Sequence, residues 1–339
     1  MTSKEFLISI KDDDDIWPNM QADCDQLMRL RDVPFKCTAL SATRMIEASV
    51  TCISTKGSGL SGETGAINWQ RMPFLCVFVF KCEDSDAYKS GLSSLKQWIE
   101  LMNEKNQEWL VVYFPQGSST STFSTTSAKY RKVWEKLRGD IKPADRLCKH
   151  DLNSGKATEF ENRARDALVA SIDSRISLYE RATGAMLALG RQSDGWCPSN
   201  WILAKDTIAQ IFERLGLTSQ ALSVLDDISA VVDNPDIACL ISLKFPSLVR
   251  DHCSLNMLES NSIFFRELLR SDQASEADAR HYLFTRRFAL LENLHRPADA
   301  ASLSARLCRF FFQATFHVIA IKISGHKPLI SIQLGHSTL

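Results

Sequence analysis

The chain is 339 residues long, with 40 basic and 40 acidic side chains, 45% hydrophobic residues and 24% charged residues. This charge balance excludes the broad basic field that draws in DNA, RNA or an anionic membrane surface. The apolar content excludes a wholly disordered chain, and the length sets a prior of about two domains at roughly 150 residues each.

Ten cysteines, at 24, 37, 52, 76, 82, 148, 197, 239, 253 and 308, include no Cys-x-x-Cys pair. No zinc knuckle or redox turn is expected, and reduced thiols in a cytosolic protein are. The start MTSKEFLISIKDDDD has no basic segment followed by a long apolar one, so no signal peptide is expected. The apolar run Phe310 to Ile323 is broken by Gln313, His317 and Lys322. It falls short of the about 20 apolar residues of a membrane span. A soluble chain with only peripheral membrane contact is expected.

Residues 5–10 (EFLISI) alternate as a first strand, ended by the acidic run Asp12 to Asp15. That run reads as a solvated turn rather than a metal site, because spaced ligands are missing. Trp17-Pro18 leads into a short helix expected across Met20 to Leu30. Val50 to Thr55 reads as a strand, and 55–68 (TKGSGLSGETGAIN) as a loop. Pro73 to Phe80 is a continuous apolar run, as in a strand buried on both faces. Asp84-Ser85 is a helix N-cap candidate. Beyond it Tyr88, Leu92, Leu95, Ile99 and Met102 form one helical stripe, a core face rather than a binding groove. Trp109 to Phe114, stopped by Pro115, is a second buried strand. Strand, helix and strand with short connections make a βαβ unit with parallel strands and a right-handed crossover. Residues 116–127 (QGSSTSTFSTTS) read as a surface loop. Lys129 to Arg138 reads as a basic helix with Tyr130, Val133, Trp134 and Leu137 on its inner side. Its charged face reads as solvated.

From about 155 the spacing is helical. Phe160, Ala164, Leu168, Ile172 and Ile176 continue through Tyr179, Met186 and Leu189. A helix from Trp201 to Leu215 is closed by Gly216 as a left-handed cap, and another resumes at Thr218 or Ser219. IAQIFERLGLTSQALSVLDDI reads as a helical hairpin like a tetratricopeptide unit. ARHYLFTRRFALLENLHRPADAASLSARLCRFF reads as another, with Pro297 opening its second helix. The expected architecture is an α/β domain with a mostly parallel sheet over 1–150 and a helical-hairpin solenoid over 155–312. The tail, 313–339, is atypical: its spacing turns alternating and strand-like.

Gly57-Ser58-Gly59-Leu60-Ser61-Gly62 spells a dinucleotide fingerprint, but Glu63 to Gln70 shows no helical stripe to receive a pyrophosphate, so the loop reading prevails. A P-loop, an H-E-x-x-H pair and a G-x-S-x-G elbow are absent; Glu63 stands where that elbow needs glycine. Histidines 150, 252, 281, 295, 317, 326 and 336 lack paired ligand spacing. His252-Cys253 reads as structural or exposed, and Asp226-Asp227 as a solvated helix surface. Trp69, Trp98, Trp134, Trp196 and Trp201 are interface candidates by residue type, with core packing the plainer role. No residue is assigned as catalytic, cofactor-binding or metal-ligating, and partner-binding residues are not identified.

The order of segments resembles the N-terminal region of the TRAPP II large-subunit family, trafficking protein particle complex subunit ten. ISIKDDDDIWPNM looks like its opening strand, acidic-polar turn and helix entry. PFLCVFVFKCEDSDAYKSGLSSLKQWIELMNEKNQEWLVVYF is similar to its β-α-β unit. KYRKVWEKLRGDI with Asp145-Arg146 matches its next helix and strand approach. GWCPSNWILAKDTIAQIFERLGLTSQALSVLDDI and ARHYLFTRRFALLENLHRPADAA resemble its helical pairs. The resemblance covers most of 5–310, and members of the family are far longer, with C-terminal β-rich domains.

It implies a non-catalytic scaffold in a vesicle-tethering complex that promotes nucleotide exchange on Rab GTPases at the Golgi. The implied partners are other complex subunits, with the Rab reached indirectly and no nucleic acid. The implied location is cytoplasmic, peripheral at trans-Golgi membranes. No cofactor or catalytic residue is carried over. The alternatives are the foie-gras-like subunit eleven or another helical-repeat adaptor, and a nucleotide-dependent enzyme using the Gly57–Gly62 loop.

Overall fold

In the computed structural model, the described residues are 5–21, 24, 29–55, 72–82, 85–115, 123–149, 158–190, 198–233, 262–271, 274 and 276–324. They form two compact units, residues 1–228 and 229–339.

The first unit is built on a six-stranded sheet. Its strands are β1 (Phe6–Lys11), β2 (Arg29–Phe35), β3 (Arg44–Thr55), β4 (Leu75–Cys82), β5 (Trp109–Pro115) and β6 (Leu147–Lys149), in spatial order β2-β3-β1-β4-β5-β6. Every pairing is parallel except β2 with β3. The continuous apolar run of β4 follows from burial on both faces, since it lies between β1 and β5 with helices above and below. Cys76, Phe78, Phe80 and Cys82 face one side. They share a core with Tyr88, Leu95, Trp98 and Met102 of α2 (Ser85–Glu104) and with Val133 and Leu137 of α3 (Phe123–Asp140). By the two-residue period the intervening Leu75, Val77 and Val79 face the other side. There the 33-residue helix α4 (Thr158–Gly190) packs against β4, β5 and β6. Phe160, Ala164, Leu168, Ile172 and Ile176 of α4 are all buried. The unit is therefore a three-layer α/β/α sandwich carrying the expected parallel βαβ unit.

A short helix, α1 (Trp17–Gln21), follows β1. Trp17 packs edge-on against Phe160 at 6.2 Å between centroids. After α4, α5 (Pro198–Arg214) is buried along nearly its whole length and packs on α4. The turn Leu215–Leu217 leads to α6 (Thr218–Asp233). Gly216 has φ of 72° and closes α5 as expected.

In the second unit α7 (Ser262–Arg270), α8 (Glu276–Asn293) and α9 (Pro297–Ser324) gather with the end of α6. Phe265 stacks on Tyr282 at 4.2 Å, and the turn Leu294–Arg296 folds α9 back along α8. Pro297 opens α9 as its spacing predicted. Among the described residues no helix is long and apolar enough to cross a membrane.

Four local readings are corrected. Of the helix expected over Met20 to Leu30, Met20 and Gln21 lie in the helix Trp17–Gln21, whereas Arg29 and Leu30 lie in β2. There Arg31 and Asp32 together oppose one residue of β3. This bulge breaks the alternation of Leu30, Val33 and Phe35 that would have announced a strand. The strand read from Val50 begins at Arg44, helix α3 begins at Phe123 inside the expected Ser/Thr loop, and residues 313–324 continue α9 as helix. The Asp84 half of the N-cap candidate and residues 325–339 of the tail lie outside the described residues.

Candidate functional site

A doubly wound sheet takes ligands beyond the carboxyl ends of its strands, where the strand order reverses. Here that point is β1, flanked by β3 and β4. A dinucleotide site would need a glycine turn after β1, whereas the turn is Asp12-Asp13-Asp14-Asp15. Asp12 is fully buried and occupied in folding: its Oδ2 accepts the Trp17 N–H at 2.6 Å and its Oδ1 the Asp14 N–H at 3.3 Å. Asp13 to Asp15 are exposed and would repel a phosphate. The acidic run is thus a capped turn.

At the opposite, amino end of the sheet lies a cleft of about 350 Å³. Its floor is made of residues that enter three parallel strands: Met72 before β4, Glu108 before β5 and Arg146 before β6. One wall is α4 through Ser171, Ser174 and Arg175; the other is the carboxyl end of α2, including Asn103 and Lys105. That end is closed by a Schellman motif. Gln107 N–H donates to Met102 O at 2.8 Å and Asn106 N–H to Asn103 O at 3.0 Å, with Asn106 at φ 49°.

Two guanidinium groups border this cleft in fixed positions. Arg175 Nη2 donates to Pro73 O and, at 3.2 Å, to Gln107 Oε1. Its guanidinium lies 4.1 Å from the centroid of the Phe74 ring. Ser171 Oγ donates to Phe74 O at 2.5 Å and Gln107 Nε2 to Pro73 O at 2.8 Å, so the approach to β4 is pinned from both walls. Arg146 Nη2 meets Glu108 Oε1 at 2.8 Å, and its guanidinium sits 4.9 Å from the Trp109 ring. The indole of Trp109 in turn donates to Asn103 Oδ1 at 2.9 Å. Burial lowers the pKa of Arg175 from 12.5 to about 10, leaving it charged at neutral pH.

None of these residues was singled out as a site in the sequence. They come from four separate segments, and the one local hint is Arg175, polar between the buried Ile172 and Ile176. Residues that were singled out lie elsewhere. Trp98 and Trp201 are buried and Trp134 is half-buried, stacked on Tyr113 at 5.9 Å. Asp226 and Asp227 are exposed on α6, the second 3.6 Å from Lys205 Nζ. Gly57–Gly62, Trp69, Trp196 and His252-Cys253 lie outside the described residues. Among the described residues no group of three or more His, Cys, Asp or Glu side chains is arranged to hold a metal.

Comparison with known proteins gives a consistent result. The family profile described as trafficking protein particle complex subunit 10-like, N-terminal, matches residues 1–186, more than half of the chain. Trafficking protein particle complex subunit 10 of Dictyostelium discoideum is 24% identical over 89% of this chain and 23% of its own length. The trafficking protein particle complex II-specific subunit 130 homolog of rice is 23% identical over 88% of this chain and 24% of its own length. Human trafficking protein particle complex subunit 10 is 23% identical over 69% of the chain. The chain spans about a quarter of the length of the first two. On the extent of the profile match, this chain belongs to the trafficking protein particle complex subunit 10-like family.

Proposed function

We propose that the chain is a non-catalytic scaffold of a vesicle-tethering complex, the TRAPP II particle, and supports nucleotide exchange on a Rab GTPase during transport at the Golgi. The observation that carries this reading is the match over 89% of the chain to a protein named as a subunit of such a complex. The fold is compatible with it. The sheet is sandwiched by helices that spend their apolar stripes on its two faces. The sheet edges suit lateral contacts other than strand addition. β6 has three residues, and β2 carries a bulge and Pro34, both features that discourage an added strand. Its partners are other subunits of the particle, with the Rab reached through them, and it acts in the cytoplasm at the surface of trans-Golgi membranes.

The test is affinity isolation of the tagged chain from cells. Small core subunits of the particle are expected in the eluate, and repeated recovery of the chain without any of them would overturn the proposal.

A further inference from the structure

We propose that the cleft at the amino ends of β4, β5 and β6 is a recognition site for an oxyanion, a carboxylate or phosphate group, held by Arg175 and Arg146. The argument begins with charge. Among the described residues, Lys105, Arg146 and Arg175 border the cleft against a single acid, Glu108, and the other polar side chains lining it are neutral amides and hydroxyls. Glu108 pairs with Arg146. Among the described residues no carboxylate pairs with Arg175, whose contacts are a carbonyl, an amide oxygen and an aromatic ring. A partly buried cation without a counter-ion is an unfavourable arrangement that an anion in the cleft would relieve.

Geometry supplies the second argument. Each guanidinium is held by a ring and by hydrogen bonds or an ion pair through Nη2. A guanidinium has five N–H donors in a planar fork, and among the described residues each arginine here uses Nη2, which leaves Nε and Nη1 for a further acceptor. Holding the forks in place before the ligand arrives removes part of the ordering cost of binding. The carboxyl end of α2 would otherwise present carbonyls to the same space, and its Schellman motif occupies two of them. A volume of about 350 Å³ suits one anionic group with a small attached body. The group is carried either by a free small oxyanion or by an acidic peptide segment. This inference stands apart from the scaffold reading, because it rests on the cleft alone.

The test is calorimetric titration of the full 339-residue chain at constant ionic strength, with inorganic phosphate and, separately, tetraglutamate. Saturable binding of at least one probe is expected. Phosphate alone points to a free small oxyanion, tetraglutamate alone to an acidic segment, and either supports the site. Arg146→Gln is expected to weaken binding about tenfold, and Glu108→Gln, which removes the competing carboxylate, to tighten it about threefold. Arg175→Lys is expected to weaken it further; should that variant unfold by circular dichroism, the Arg146 and Glu108 variants still decide. Lack of saturable heat with both probes, or affinities unchanged in Arg146→Gln and Glu108→Gln, would overturn the proposal.

Discussion

Gly91 and Gly184 both lie inside helices, yet their surroundings call for opposite outcomes on substitution. A Cβ on Gly91 would stand 2.9 Å from Phe80 Cε2. That ring cannot retreat easily, being buried in the shared core and set edge-on to Tyr88 at 6.1 Å. Gly91→Ala is expected to lower stability by about 1 kcal/mol, the overpacking cost exceeding the gain in helix propensity. Nothing lies within 4 Å of a Cβ on Gly184, which is exposed in α4. Gly184→Ala is expected to raise stability by about 0.8 kcal/mol, the propensity difference alone. Urea denaturation of both variants checks the pair. The sequence shows two glycines in helical runs but does not show Phe80, 11 positions upstream of Gly91, lying across it.

Three helices end in the same way with different residues in the strained position. α2, α5 and α8 each close with a Schellman motif whose left-handed residue is Asn106 (φ 49°), Gly216 (φ 72°) and His295 (φ 55°). Glycine accepts this conformation without penalty, whereas a side chain pays roughly 1 kcal/mol. His295→Gly is therefore expected to raise the urea midpoint, by roughly 0.5–1 kcal/mol of stability, and Gly216→Ala to lower it by a similar amount. Equal midpoints for wild type and both variants would show that the caps do not set these helix ends. Gly216 was readable beforehand because glycine after a helical stripe is a stop signal. His295 was not, since histidine there resembles any loop residue and only the i−5 bond from Arg296 N–H to Leu291 O, 2.9 Å, reveals the motif. Strand β2 was missed for a related reason: its bulge offsets the alternation on which strand recognition depends.

At the scale of the whole molecule, burial of thiols makes stability sensitive to alkali. The seven described cysteines are thiols rather than disulfides, and five of them are buried. Burial raises the pKa of Cys37 from 9.0 to about 11 and of Cys52 and Cys76 to about 12. It also moves Cys148 and Tyr88 upward. Each raised group holds its proton in the folded state after the unfolded chain has released it. Stability from these groups is therefore complete below pH 9 and declines as pH rises through about 12. Arg175 and Arg214 work in the opposite sense. Burial lowers both to about 10, so their penalty is relieved only above that value. The window from about pH 9 to about pH 10 consequently isolates the thiols. There the urea midpoint in reducing buffer is expected to fall, and to fall less steeply in Cys76→Ala. A midpoint flat across that interval would contradict the assignment.

The sequence alone determined the layers. Continuous apolar runs at Leu75–Cys82 and Trp109–Pro115, the stripe from Tyr88 to Met102 and the spacing from Phe160 to Ile176 state which surfaces must leave water. Burial of apolar area acts through local periodicity, which a linear string displays. The ordered segments carrying the family resemblance were legible for the same reason. Only the tertiary structure decided the cleft. Arg175, Arg146, Gln107 and Glu108 meet because three strand entrances and the middle of α4 converge at the amino end of the sheet. Polar contacts are set by distance and direction between groups remote in the chain, and no period in the sequence encodes them.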